Sequence, residues 1–307
     1  MVETVTPEPL NSGSETRASN IQGALFLIGS GAFFAATAAL VKATAQNDIS
    51  VFQLLFIRAV LGLMILAPLL YRAGVAPWKT DHLQLHLTRA VTGGTAVTIG
   101  FYAFTVIPLA TATAINFTMP LFTTILAVVI LSETVGWRRW CATGVGFIGV
   151  MVMIQPGTEG FDPIALIVLF QAACIAFSVT VVKRFPVRES QLSMMFFTFV
   201  SSGLISVWPA MQQWVWPNLL QSGLILAVAL AGIVAQAMVL RAYRLGEASY
   251  LAPISYTRLI FAGLLGIVFF AEYPDMATWI GAAIIITAAL YTARRSGVRR
   301  TATKPTP

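Results

Sequence analysis

The sequence predicts an all-α integral membrane protein with ten transmembrane helices in two inverted five-helix repeats. Three observations predict it: long apolar runs in a charge-poor chain, the side on which lysine and arginine fall, and an ungapped internal repeat. Of 307 residues, 57% are hydrophobic and 10% charged, with mean hydropathy +0.81. A soluble domain carries about 25% charged residues, so the composition belongs to the membrane class. The opening stretch, MVETVTPEPLNSGSETRASN, is polar and lacks the basic start of a signal peptide. It reads as a disordered tail over 1–20.

Apolar runs near twenty residues then follow in order. They lie at 21–41, at 51–71 around Arg58, at 87–106, at 110–131 around Pro120, and, shorter and glycine-rich, at 140–155. The second set lies at 163–182, 192–211, 221–241, 248–270 around Pro253 and Arg258, and 277–293, again short. The first repeat therefore covers 21–155, the second 163–293, and a basic tail covers 294–307. Connections are brief and leave no room for a soluble domain.

Charge placement sets the orientation. With the N-terminus inside, 15 of the 19 Lys and Arg residues fall on the inner side: Arg17, Arg72, Lys79, Arg138, Arg139, Lys183, Arg184, Arg188, Arg241, Arg244, Arg294, Arg295, Arg299, Arg300 and Lys304. Lys42 alone falls outside, and Arg58, Arg89 and Arg258 lie within or at the edge of spans. This is the positive-inside pattern of a protein with both termini cytoplasmic. It explains the net charge of +7 without nucleic acid.

Residues 103–140 and 242–279 align at an offset of 139, matching Ile115 with Ile254, Thr118 with Thr257, Phe122 with Phe261, Glu133 with Glu272 and Trp140 with Trp279. Each half holds five spans, an odd number, so the second half inserts upside down relative to the first. Inverted repeats build secondary transporters, with the substrate site near the midplane between them.

The stretches FYAFTVIPLATATAINFTMPLFTTILAVVILSETVGWRRW at 101–140 and LRAYRLGEASYLAPISYTRLIFAGLLGIVFFAEYPDMATWIGAAII at 240–285 resemble the drug/metabolite transporter superfamily, in particular its EamA-type members. The likeness spans residues 21–293. It implies ten helices around a central cavity and transport of small organic metabolites, often amino acids, across the bacterial inner membrane. Export is favoured over uptake on that resemblance alone.

Arg258 sits ten residues into its span, about 15 Å deep, where an arginine costs about 2.5–3.5 kcal/mol. The twelve acidic residues all map to tails, loops or span ends. Its partners are therefore backbone carbonyls, aromatic faces or an anionic group on a substrate, which its planar fork could hold bidentately. Arg58 reads as structural, and Arg89, close to the inner interface, as a side chain that snorkels. Pro120 and Pro253 each remove a helical hydrogen bond and free the carbonyls of Asn116 and Ser249. Thr113, Asn116, Pro120 and Thr124 share one face, as do Ser255 and Arg258, with Tyr256 beside them. Together with Thr92, Thr95, Tyr102 and Gln236, they suggest a polar lining from the third, fourth, eighth and ninth spans. The expected substrate-binding set is Arg258, Tyr256, Ser255, Asn116, Thr113, Tyr102, Gln236 and Phe117, with Tyr102, Phe117 and Tyr256 holding the apolar part.

The expected function is alternating-access transport of an amino acid or related zwitterion or anion. Uptake of a larger, nucleoside-type compound and lipid-linked flipping stay open beside it. An intramembrane enzyme lacks support: no acid/base pair or activated nucleophile falls at membrane depth. No Walker-type loop is present, and no cofactor or metal is expected. His82 and His86 lie one turn apart but make only two ligands, and Cys141 and Cys174 read as packing residues. The partners expected are the substrate and the lipid bilayer. Oligomeric state is left open.

Overall fold

A computed structural model describes residues 12–80, 82–132, 135–158, 161–182, 184, 190–246 and 248–302. Glu133, Lys183, Arg188, Lys304 and residues 1–11 of the N-terminal tail, all used in the sequence analysis, lie outside them, whereas residues 12–20, expected to be disordered, are helical. The described residues form twelve helical segments and no strand: α1 (Ser12–Gln46), α2 (Val51–Ala73), α3 (Leu83–Val106), α4 (Leu109–Asn116), α5 (Met119–Leu131), α6 (Trp137–Ile154), α7 (Ile164–Val182), α8 (Gln191–Gln212), α9 (Leu219–Leu245), α10 (Ala248–Ile254), α11 (Thr257–Phe270) and α12 (Met276–Ala302). Twelve segments make ten helices because the fourth and ninth are each broken once, into α4/α5 and α10/α11. By length and composition, six stretches among the described residues are apolar enough to cross a membrane, one of them Leu109–Leu131 taken across its break. Three shorter apolar helices, Trp140–Ile154, Thr257–Phe270 and Met276–Tyr291, accompany them.

The ends of the helices follow local chemistry. α2 stops at Gly74, whose φ of 63° places its N–H on the carbonyls of Leu70 and Tyr71. α9 begins with a reciprocal cap: Asn218 accepts from the Gln221 N–H while the Gln221 side chain accepts from the Asn218 N–H. The core is rich in alanine, including Ala35, Ala38, Ala110, Ala112, Ala114 and Ala262. Small residues let backbones approach where lipid supplies no hydrophobic drive between helices. The α6–α12 crossing is the tightest case, since a Cβ on Gly281 would lie 2.6 Å from the Gly149 carbonyl oxygen.

The two repeats relate α1 to α7, α2 to α8, α3 to α9, α4/α5 to α10/α11 and α6 to α12. Most packing respects that relation. α1 packs on α9 as α7 packs on α3, and α1 packs on α11 as α7 packs on α5. The widest departure is at α3, which packs extensively on α8 whereas the equivalent α9 and α2 touch only slightly; α4 on α11 and α1 on α3 also pack more than their counterparts. Below, the proximal end is where α1 begins and the distal end carries the α1–α2 turn.

Arg89 is held by α8. Its guanidinium donates to the Met194 carbonyl (3.0 Å) and the Thr198 hydroxyl (2.9 Å) on α8. Both bonds come from Nη1, a charge-assisted donor shared between two oxygens fixed on α8, while Nε is unpartnered among the described residues. His86 is buried and stacks on Phe197 at 4.8 Å, so it packs α3 on α8. Of the cysteines, Cys174 is buried and Cys141 is exposed on the outside of α6.

Candidate functional site

The site grows from the two helix breaks. At the first, the Phe117 and Thr118 N–H groups donate to the carbonyls of Ala114 (3.0 Å) and Ile115 (2.9 Å), a tighter turn than α-helix. Pro120 follows in the first turn of α5, where its missing N–H costs nothing. At the second break, the turn falls at Ser255 and Tyr256, just after Pro253. Each repeat thus uses its own proline, on opposite sides of the break, to reach the same geometry. The threonine matched between repeats completes it. Thr118 Oγ1 donates to the Ile115 carbonyl (2.7 Å) and Thr257 Oγ1 to the Ile254 carbonyl (2.8 Å). INFT and ISYT are therefore one device written twice.

Between Ile and Thr, Phe117 and Tyr256 occupy equivalent positions at the offset of 139. Their rings meet edge to face at 4.7 Å. Two residues related by the repeat and touching each other lie on the axis that relates the repeats. α4 and α11 run antiparallel there, and a Cβ on Gly263 would approach the Ala110 Cβ at 3.9 Å. Thr113 and Asn116 follow Ala110 at helical spacing on the same side of α4. Asn116 donates its Nδ2 to the Ala112 carbonyl (3.0 Å). Its Oδ1 and Thr113 Oγ1 are buried and unpartnered among the described residues. Buried polar atoms without partners are uncommon and call for an explanation.

Arg258 is the second residue of α11, two beyond Tyr256. α1 comes close here because Gly31 has no side chain: a Cβ on it would lie 3.3 Å from the Arg258 backbone nitrogen. One turn further along α1, the Phe34 ring lies 4.8 Å from Arg258 Cζ. The guanidinium therefore rests on an aromatic face. Its Nε is buried and unpartnered, and it makes no ion pair among the described residues. Arg58 is held the same way, 5.0 Å from the Phe101 ring.

The other expected lining residues lie apart. Tyr102 sits near the distal end of α3 and lines a cavity of about 680 Å3 with Ile49, Phe52, Thr105, Gln213 and Trp214. None of the residues around the breaks lines that cavity. Gln236 on α9 is exposed, beside fully buried Ala235. Ser255 stays at the second break.

The sequence reading missed two features. The first is a carboxylate–lysine pair. Lys42, the lone outer cation, meets Glu272 from beyond the end of α11, with side chains 12% and 11% exposed. Glu272 also accepts from the Leu109 N–H (2.8 Å), and Lys42 donates to the Ile107 carbonyl (3.2 Å). Glu272 closes its span with no Lys or Arg beside it in sequence, but α1 brings Lys42 to it through space. A solitary cation and a solitary span-end carboxylate on one side were the available signal. The second is Gln171 on α7, 5% exposed, whose Oε1 is unpartnered among the described residues and whose amide lies against Gly100. No pattern in the sequence marked it.

The EamA-like transporter family matches the chain twice, over residues 21–155 and 163–294. The chain is 35% identical to the S-adenosylmethionine uptake transporter of Rickettsia prowazekii, over 78% of this chain and 82% of that one. It is 32% identical to the riboflavin transporter of Brucella anthropi, over 80% and 89%. It is 24% identical to the pseudopaline exporter CntI of Pseudomonas aeruginosa, over 85% and 92%. A solved crystal structure shares the fold with a TM-score of 0.55 at 18% identity, covering 93% of this chain and 99% of that one.

Proposed function

Since the chain belongs to the EamA-like transporter family and is a multi-pass membrane transporter of small metabolites, not an enzyme, we propose that it carries an amino-acid-type metabolite bound through its carboxylate by Arg258. The observation behind this is the guanidinium itself, deep in a span, resting on Phe34, with Nε unpartnered. A charge so placed needs a counter-charge, and a substrate carboxylate supplies one through the paired donors of the fork. Thr113 Oγ1 and Asn116 Oδ1, both unpartnered, accept from the substrate's N–H groups, and Phe117 and Tyr256 bear its apolar part. The relatives named for S-adenosylmethionine make that compound the first to test, and their uptake direction displaces export as the leading reading.

On this reading the protein sits in the inner membrane with both termini cytoplasmic, as the placement of its basic residues indicates. The test is counterflow of radiolabelled S-adenosylmethionine, riboflavin and free amino acids in proteoliposomes. Arg258→Gln is expected to insert and fold but to raise KM at least about tenfold, ~1.4 kcal/mol. Arg258→Lys should fall between, because lysine lacks the planar fork. A decarboxylated analogue should lose affinity for the parent protein and little for Arg258→Gln. Equal losses in both proteins would sink the proposal.

A further inference from the structure

The inverted repeats identify their own moving part. Packing present in both repeats, α1 on α9 with α7 on α3, or α1 on α11 with α7 on α5, is shared by the two halves and need not change when they exchange roles. Packing present in only one repeat records the state in which the molecule is caught. α3 on α8 is such a packing, and its equivalent, α9 on α2, is slight. We infer that the proximal α3–α8 seam is the closed gate of this state, with Arg89 as its bolt, and that the distal end is the open side.

The seam is built as a polar zipper near one end. Arg89 Nη1 donates to the Met194 carbonyl and Thr198 Oγ1, and Ser201 Oγ donates to the Ala90 carbonyl (2.6 Å). Gly94 permits the close approach, since a Cβ there would fall 2.6 Å from Ser201 Oγ. The second repeat does not reproduce the bolt. At the offset of 139, Arg89 corresponds to Val228 on α9. A gate fastened by charge-assisted hydrogen bonds on one side and by an apolar residue on the other gives two states of unequal stability. The state held by Arg89 is the one seen, with the 680 Å3 cavity at the far end. Arg89 is thus a positioning residue for transport, acting through α3 and α8 and not on the substrate. Its role depends on alternating access but on no particular substrate.

The experiment reads accessibility, so a wrong substrate assignment does not affect it. In a background with Cys141→Ser and Cys174→Ala, Ser202→Cys reports on the seam, where Ser202 is 4% exposed, and Thr105→Cys reports on the distal cavity. Each is labelled with a membrane-impermeant maleimide in vesicles of either orientation. Arg89→Ala is expected to raise proximal labelling of Ser202→Cys at least about tenfold and to lower distal labelling of Thr105→Cys about threefold, a population shift toward the opposite state. Thr198→Val, which removes one acceptor, should shift both in the same direction by less, and it decides the matter if Arg89→Ala does not insert. Unchanged labelling overturns the inference. So does a rise at both ends, which marks general loosening and a purely structural role.

Discussion

At the scale of single residues, the most informative are two threonines that look unremarkable in an apolar span. Thr118 and Thr257 each return a hydroxyl to an isoleucine carbonyl three residues back, at the point where a helix breaks. A carbonyl inside a membrane has no water to turn to, so this bond should matter more than an average surface one. Thr118→Val and Thr257→Val are each expected to cost about 0.5–1.5 kcal/mol, read as a lower midpoint of thermal unfolding in detergent. Serine at either position should retain most of the stability. Equal effects for Val and Ser would show that packing, not the hydroxyl, matters. The sequence pointed to these positions through the repeat but not to their role. Identity at offset 139 is visible in letters, whereas the direction of a hydroxyl is not. Arg258 was the reverse case: its chemistry was legible, and its resting place on Phe34 was not, because Phe34 lies on a helix remote in sequence.

At the scale of elements, the broken helices and the Lys42–Glu272 pair explain how the repeats stay joined. Glu272 accepts from the first residue of α4 and pairs with the end of α1, so one carboxylate ties elements of both halves. The pair is mostly enclosed, and removing one partner leaves a charge without its mate. Glu272→Gln and Lys42→Met should each lower the unfolding midpoint. The double variant should lose less than the sum of the two, with a coupling of about 1 kcal/mol or more. Additive losses would mean that the two charges do not sense each other. The α6–α12 crossing supplies a second check. Gly281→Val places a branched side chain where a Cβ already meets the Gly149 carbonyl at 2.6 Å. Overpacking of this kind costs about 1–3 kcal/mol, visible in the same melting experiment. The prolines made the breaks predictable as elements. The sequence did not place the second break, because Pro253 precedes it whereas Pro120 follows the first.

At the scale of the whole molecule, orientation and energy coupling both turn on where the charges lie. Reporter fusions after Arg72, Arg138 and the last helix should all report cytoplasm, and a C-terminus on the other side would contradict the ten-span orientation. Proton-driven carriers often use a carboxylate at membrane depth. Glu272, the enclosed carboxylate among the described residues, is occupied by Lys42 and a backbone N–H. Transport in liposomes is therefore expected to run down a substrate gradient with no imposed pH difference. A strict requirement for a pH gradient would place a proton site elsewhere in the chain.

The sequence by itself determined the membrane class, the ten apolar spans, the repeat and the arginine that lacks a nearby carboxylate. All of these are local or periodic properties: hydropathy over twenty residues, charge at loop positions, identity at one offset. Only the tertiary structure decided which distant side chains meet. It placed Phe117 on Tyr256, turned Arg89 onto α8, brought Lys42 to Glu272, and left Gln236 exposed while burying Gln171. The reason is geometric. A helix of 3.6 residues per turn presents every residue to some neighbour. In a span apolar on all sides, no amphipathic stripe announces which face meets protein and which meets lipid.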